Sequence, residues 1–174
     1  MYFQEALAIR ESVSNLRSKA YVLAHLGYTQ TQIGEHKGAE SSFLEALRIR
    51  QELGEEALIM DTYSGLALVS FLMGNQDEAL GYVNKILSWI QDNGTEGLEF
   101  PVQVYLICYQ ILSAISDSDG RLHSNKRAQT ILEDGHALLT ERLARIKDEG
   151  MREQFVENVP YNRQLRDTWL SKQK

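Results

Sequence analysis

Four histidines and one cysteine are the side chains that could most readily ligate a metal ion or start nucleophilic chemistry. No two histidines have the spacing of a zinc site, which typically takes a His-x3-His pair on one helix with an acid nearby. Cys108 lies in an apolar stretch, residues 104–109, so we predict a buried thiol. A lone cysteine forms neither an intramolecular disulfide nor a cysteine metal cluster. We predict no metal, and we expect solvated or groove-lining histidines at His25, His36, His123 and His136.

The acidic stretch at residues 117–120 superficially suggests a calcium loop. Such a loop needs oxygen ligands at alternating positions and a final Glu. Here Ile115 and Lys126 stand at ligand positions, so we predict a solvated turn. Neither glycine-rich phosphate-loop pattern occurs, and no serine stands in a Gly-x-Ser-x-Gly elbow. The sequence therefore predicts no enzyme activity and no cofactor.

The composition is that of a globular or solenoid protein, with 174 residues, 43% of them hydrophobic and 24% charged. The formal net charge of −6 weighs against nucleic acid as the main ligand. No apolar run approaches the roughly 18 residues that span a membrane, and the first ten residues lack the features of a secretory signal. We expect a cytoplasmic protein.

An internal repeat of 40 residues sets the predicted architecture. Two prolines and long patterns of period 3.6 indicate an all-α chain. The segment FQEALAIRE at residues 3–11 matches FLEALRIRQ at residues 43–51, an offset of 43 − 3 = 40. The offset recurs at Gly34 and Gly74 and at Gly54 and Gly94, which we interpret as turn or cap positions. We predict one domain, 1–174, divided into the second helix of an incomplete repeat (1–13), repeats at 15–53 and 55–93, a degenerate repeat at 97–147 with a long loop at 116–125, and a cap at 148–174.

The residues inside the unit resemble the tetratricopeptide repeat, with Leu-Gly, a glycine turn and then Ala-x3-Phe-x2-Ala. The resemblance implies a right-handed superhelical stack of antiparallel helical hairpins, an α-solenoid closed by C-terminal capping helices. Small residues should allow close helix approach while larger ones fill the space between helices. We assign the first role to Gly27, Ala39 and Ala46, and the second to Leu23, Leu26, Phe43 and Leu47.

A period of 40 exceeds the usual 34 or so. Longer repeats of this kind resemble those in the C-terminal regions of large bacterial signalling ATPases and transcription activators. The segment Phe-x-Glu-Asn-Val-Pro-x-x-Arg, starting at Phe155, resembles the closing motif of the same proteins. We predict that Pro160 opens the last helix and that the apolar anchors of the cap are Phe155, Val156, Leu165 and Trp169. Residues 1–10 match only a second helix, so we expect the chain to be the C-terminal part of a longer polypeptide.

In tetratricopeptide stacks the first helices line a concave groove. Projecting the repeat assigns to this groove Tyr21, Ala24, His25, Tyr28, Thr31, Asp61, Ser64, Gly65, Leu68, Phe71, Gln103, Leu106, Ile107 and Gln110. The Lys and Asn clamp of the chaperone-binding members is absent. The mixed aromatic and aliphatic surface suits a helix or an extended apolar segment. The alternative interpretation is that Leu68, Phe71, Leu106 and Ile107 are core between repeats.

The charges Arg48, Arg50, Glu52, Arg142, Arg145 and Lys147 are expected on solvated second-helix exteriors, with a weak basic ridge for an acidic partner as the alternative. Together these features predict a protein-interaction scaffold, forming the sensor or docking arm of a larger bacterial regulator. Its partner would be a protein, a peptide or another domain of the parent chain. Two alternatives remain open: a self-association module that uses the N-terminal edge or the groove, and, less favoured, a nucleic-acid-binding helical repeat.

Overall fold

A computed structural model of the protein describes residues 2–119 and 122–173, with side chains at 15–115 and 126–173. Over these residues the chain is all-α, with eight helices and no strand. The helices are α1 (Tyr2–Gln32), α2 (His36–Glu52), α3 (Glu56–Leu72), α4 (Gln76–Asn93), α5 (Pro101–Asp119), α6 (Leu122–Ala144), α7 (Glu149–Glu157) and α8 (Pro160–Lys172). None of the described helices is long and apolar enough to cross a membrane. The chain divides into two compact units, Met1–Glu99 and Phe100–Lys174.

The first unit is built from helices that pack on their neighbours in chain order. Helix α1 packs on α2, α2 on α3 and α3 on α4, and α1 also contacts α3. The three turns between these helices place Gly34, Gly54 and Gly74 at φ of +80°, +67° and +85°. Left-handed backbone of this kind favours glycine because a Cβ would clash there. The prediction that glycines end these helices is confirmed. Gly94 ends α4 with a positive φ of +74° but a ψ of −156°, which is a different backbone conformation.

All three turns share one hydrogen-bond pattern. The amide after each glycine donates to the carbonyl five residues earlier, as Glu35 does to Gln30 at 2.9 Å. The glycine amide itself donates to the carbonyl three residues earlier. This pair of bonds is the Schellman motif, which satisfies carbonyls that the end of a helix leaves unpaired. One helix plus one such turn takes twenty residues, so two of them account for the 40-residue period in sequence.

The ring of Phe43 lies between α1 and α3. A Cβ added at Gly27 on α1 would stand 2.8 Å from this ring, and one added at Gly65 on α3 would stand 2.4 Å from it. Phe43 has no exposed surface, and the Tyr28 ring meets it edge-on at a centroid distance of 5.0 Å. The predicted roles of Gly27 and Phe43 are confirmed. Gly65, which the sequence assigns to the groove, makes room for the ring instead.

Around this ring a core cluster joins α1, α2, α3 and α4 within the first unit. Its buried members come from α2 and α3, and half-buried aromatic and aliphatic side chains surround them. The buried members are Ala39, Phe43, Leu66 and Val69, and the surrounding residues are Tyr28, Leu47, Tyr63, Met73 and Tyr82.

Helix α1 differs from the prediction in two ways. The sequence predicts a break between residues 13 and 15, whereas one helix runs from Tyr2 to Gln32. Ser14 occupies the register position that Gly34, Gly54 and Gly74 hold elsewhere. Left-handed backbone costs a residue with a side chain about 1–2 kcal/mol, which favours continuing the helix. Leu26, expected between helices, is 43% exposed on α1.

In the second unit α5 packs on α6, and α8 packs on α5, α6 and α7. Gly135 on α6 allows this close packing, because a Cβ there would lie 2.9 Å from both Leu165 Cδ1 and Tyr105 Cβ. Helix α8 begins at Pro160, as predicted. The turn before it is held by Asn162, whose Nδ2 donates to the Phe155 carbonyl oxygen at 2.9 Å.

The long loop predicted at 116–125 is largely helical. Helix α5 continues to Asp119 and α6 begins at Leu122, which leaves only Gly120 and Arg121 between them. These two residues lie outside the described part of the chain, as do the side chains of Asp117 and His123. The solvated-turn prediction for residues 117–120 is therefore wrong for the backbone up to Asp119.

We expect Gly65→Ala to lower the free energy of unfolding by about 1–3 kcal/mol, because the new methyl group overlaps the Phe43 ring. Gly81→Ala on α4 is the matched control, since a Cβ there meets nothing within 4 Å. It should raise stability by about 0.5–1 kcal/mol through helix propensity. Urea unfolding followed by circular dichroism measures both, and equal effects would contradict the close approach of α3 to Phe43.

Candidate functional site

The predicted groove residues of α1 and α3 lie on two helices that contact each other. On α1, Tyr21 is 52% exposed, and its ring meets the His25 ring at a centroid distance of 4.2 Å. Tyr28 is half-buried, whereas Ala24 and Thr31 are buried. On α3, the buried members are Asp61 and Ser64, and the half-buried members are Leu68 and Phe71. The face formed by these residues of α1 and α3 is called the α1/α3 face below.

The remaining predicted groove residues lie on α5, in the second unit. Gln103 and Gln110 are half-buried there, and Leu106 and Ile107 are buried. The burial of these two residues agrees with the alternative interpretation that they belong to a core.

A hydroxyl cluster joins α1 to α3. The Tyr28 hydroxyl lies 2.9 Å from Ser64 Oγ and donates to the Asp61 carbonyl oxygen at 3.2 Å. Ser64 Oγ donates to the same carbonyl at 2.8 Å. Burial raises the pKa of Tyr28 above its ordinary value, so its phenol stays neutral. Three polar groups that would be costly to bury unpaired are thus satisfied by one another.

Arg50 corrects the prediction of a solvated exterior, because its side chain is only 2% exposed. From α2 it reaches α3, where Nη1 donates to the Leu58 carbonyl oxygen at 2.7 Å and to Thr62 Oγ1 at 2.6 Å. Arg48, two residues away, is exposed and pairs with Glu45 and Glu52. One signal in the sequence separates the two arginines: Arg50 recurs in register as Arg10, whereas Arg48 corresponds to Ala8.

Glu99, which the sequence analysis does not select, lies at the centre of the polar groups. Its amide donates to Asp61 Oδ2 at 2.7 Å. Its carboxylate places Oε1 3.4 Å from His25 Nε2 and Oε2 3.9 Å from Arg50 Nη2. Residues from α1, α2 and α3 therefore converge on one acidic residue of the segment that follows α4. The α1/α3 face holds a piece of the chain's own backbone by both its amide and its side chain.

The chemistry of this cluster is that of hydrogen bonding and charge pairing with polypeptide. Among the side chains at 15–115 and 126–173, no three His, Cys, Asp or Glu residues are placed to hold a metal ion. The buried-thiol prediction is confirmed, since Cys108 has no exposed surface and burial raises its pKa to about 12. His136 stacks on Trp169 with a centroid distance of 4.5 Å, in the second unit.

No protein-family model, curated protein or solved structure matches the chain.

We expect Arg50→Met to lower the free energy of unfolding by about 3 kcal/mol. The substitution keeps an unbranched apolar stem but leaves the Leu58 carbonyl without its arginine donor and removes the cation facing Glu99. Arg48→Met, on the same helix, should leave stability unchanged because the Arg48 pairs are exposed. Chemical denaturation of both variants measures the difference. A small effect at Arg50, equal to that at Arg48, would contradict the buried network.

Tyr28 should make the protein less stable at alkaline pH. The ordinary tyrosine pKa is about 10. Above that pH Tyr28 ionises in the unfolded chain but stays neutral in the fold, where its pKa is raised. Its contribution is therefore complete below about pH 10 and falls by up to about 1.4 kcal/mol per pH unit above it.

The variant Tyr28→Phe tests this dependence. We expect it to cost about 1 kcal/mol near neutral pH, through its lost hydrogen bonds. Its unfolding free energy should then decline less steeply than that of the unmodified chain above about pH 10. Denaturant titrations on either side of that pH give the two slopes, and parallel slopes would show that Tyr28 ionises alike in both states.

Proposed function

We propose that this chain is a protein-interaction scaffold of tetratricopeptide-like hairpins that holds an extended segment of a partner protein on the α1/α3 face. The contacts of Glu99 carry the proposal. In these contacts the Asp61 carboxylate accepts a hydrogen bond from a backbone amide, and the basic side chains of His25 and Arg50 face a carboxylate, all on packed helices. Extended peptides are commonly recognised in this way, by main-chain hydrogen bonds together with side-chain contacts.

The 40-residue repeat supports the tetratricopeptide-like interpretation. The same Schellman turn recurs at Gly34, Gly54 and Gly74, and the helices that follow these turns, α2, α3 and α4, have 17, 17 and 18 residues. Repeats of this kind pack mainly on their nearest neighbours and present extended surfaces. The packing order of α1 to α4 agrees with such a repeat. A right-handed superhelical stack is part of the proposal.

The exposed part of the face suits an apolar and aromatic partner segment. Tyr21 is largely exposed, and Leu68 and Phe71 keep part of their surface open to solvent. Tyrosine supplies a large amphipathic contact area with few rotatable bonds, which makes it a frequent anchor in interfaces. We infer that the partner places an apolar side chain beside Phe71 and an extended backbone along α1.

The repeat and the segment starting at Phe155 both resemble parts of large bacterial regulators. This resemblance supports the proposal that the scaffold belongs to such a protein. There it would be the C-terminal sensor or docking region, and the partner would be another protein or another domain of the same chain. In this chain the segment at Phe155 also joins two helices, through the bond from Asn162 to the Phe155 carbonyl.

A displayed library of random peptides, selected on the purified chain, tests the proposal. We expect the selected peptides to bind with micromolar affinity and to lose about tenfold or more in Kd with Phe71→Asp, since an anchor contact contributes at least about 1.4 kcal/mol. The variant Glu52→Ala is the control, because Glu52 is exposed on α2. Fluorescence anisotropy of labelled peptides measures each Kd.

Two results would contradict the proposal. One is the enrichment of no peptide at all. The other is binding that Phe71→Asp and Glu52→Ala change equally, which would place the binding surface elsewhere. Circular dichroism of both variants checks that the helices remain intact.

A further inference from the structure

One face of α1 is apolar and uncovered. Val22 is 62% exposed, Leu26 is 43% exposed and Ile33 is 66% exposed. They are spaced four and seven residues apart, which places them along one side of a helix. This set is called the bare α1 face below. Single exposed apolar residues are ordinary in proteins, but an aligned row of them marks an interaction surface.

The register equivalents of this face in the next repeat are covered. Adding 40 to Val22 and Leu26 gives Thr62 and Leu66, each only 1% exposed, and adding 40 to Ile33 gives Met73, which is half-buried. At the first two positions the exposure therefore differs almost completely between α1 and α3. The difference arises because a helix covers this face of α3, whereas no helix of the described residues covers the corresponding face of α1.

Helix α2 covers this face of α3. Phe43 of α2 shares a core cluster with Leu66 and Val69, and Arg50 of α2 donates to Thr62. The repeat also shows which residues near the N-terminus correspond to the part of α2 that covers α3. Residues 43–51 correspond to residues 3–11, where Phe, Glu, Ala, Leu, Ile and Arg recur in the same order. The sequence therefore contains a second copy of the apolar pattern that covers α3.

Residues 3–11 cannot cover their own α1 face while α1 is continuous. They belong to the same helix, Tyr2–Gln32, as the bare face. At about 1.5 Å of rise per residue, residue 7 lies about 28 Å along the axis from Leu26. Folding back would need a turn at Ser14, the position that glycine holds in the other three turns.

We propose that the bare α1 face binds residues 3–11 of a second copy of this chain, exchanged reciprocally in a dimer. Such an exchange covers α1 with the residue types that α2 places on α3, although His25 and Val22 stand on α1 where Gly65 and Thr62 stand on α3. Stable interfaces bury about 1,200–2,000 Å², and reciprocal exchange doubles the area that a single helix contact buries. Exchange of identical elements through an extended hinge is a common route to dimers.

Sedimentation equilibrium of the full 174-residue chain tests the proposal, and we expect twice the mass of one chain. Leu26→Glu places a charge in the bare α1 face and should weaken dimerisation at least tenfold. Leu72→Glu is the matched control, because Leu72 on α3 is 47% exposed and lies outside this face. It should leave the dimer intact. A dimer that survives Leu26→Glu, or a chain that is monomeric throughout, would overturn the proposal.

The hinge provides an independent test. Ser14→Gly restores the residue that the other turns use and should shift the population toward a monomer in which residues 3–11 fold back on their own α1. Ser14→Ala favours a continuous helix and should keep the dimer.

Crosslinking identifies the occupant of the face. The variant combines Phe3→Cys with Leu26→Cys. The register equivalents of these two positions are Phe43 and Leu66, which belong to one core cluster. Native Cys108 is buried and stays in place. On oxidation we expect a disulfide between chains with Ser14 present and within one chain with Ser14→Gly. A disulfide within one chain in both backgrounds would show that the chain's own segment covers the face, and no disulfide in either would exclude residues 3–11.

Discussion

The first unit depends on the burial of one aromatic ring between two glycines. Phe43 extends from α2 and occupies the space that the absent side chains of Gly27 on α1 and Gly65 on α3 leave free. Because protein interiors are packed about as densely as organic crystals, a ring of this size fits between two helices only where neighbouring side chains are missing. The contact joins three successive helices, and the buried side chains of the cluster pack around it.

Close approach of α1 and α3 also brings their polar side chains together. Tyr28 reaches Ser64 and the Asp61 carbonyl, and Arg50 reaches α3 from α2. Each of these groups would be costly to bury alone, so the arrangement is favourable only when all are present. Glu99 completes it by supplying an amide to Asp61 and a carboxylate facing Arg50. The candidate binding face is thus a consequence of the same packing that buries the ring.

Much of the fold could be predicted because its signals are local. The helix ends at Gly34, Gly54 and Gly74 follow from the backbone that glycine alone adopts cheaply, and the repeat fixes their spacing. The candidate site was predicted only in part. His25, Tyr28, Asp61 and Ser64 do come together. Glu99 lies at the start of the degenerate repeat predicted at 97–147, where the 40-residue register is lost and does not specify its position. The sequence also did not predict that α5 continues past residue 116, because a polar stretch that contains glycine is typical of a loop.

The sequence by itself determined the all-α class, the 40-residue period, the glycine turns and the burial of Cys108, because each depends on residue type and spacing along the chain. Only the tertiary structure decided which face of each helix is covered. Arg48 and Arg50 have the same chemistry and nearly the same position, yet one is exposed and the other is 2% exposed. Leu26 and Leu66 are equivalent in the repeat, yet only Leu66 is buried. Burial depends on neighbouring helices, and a pattern within one helix does not specify them.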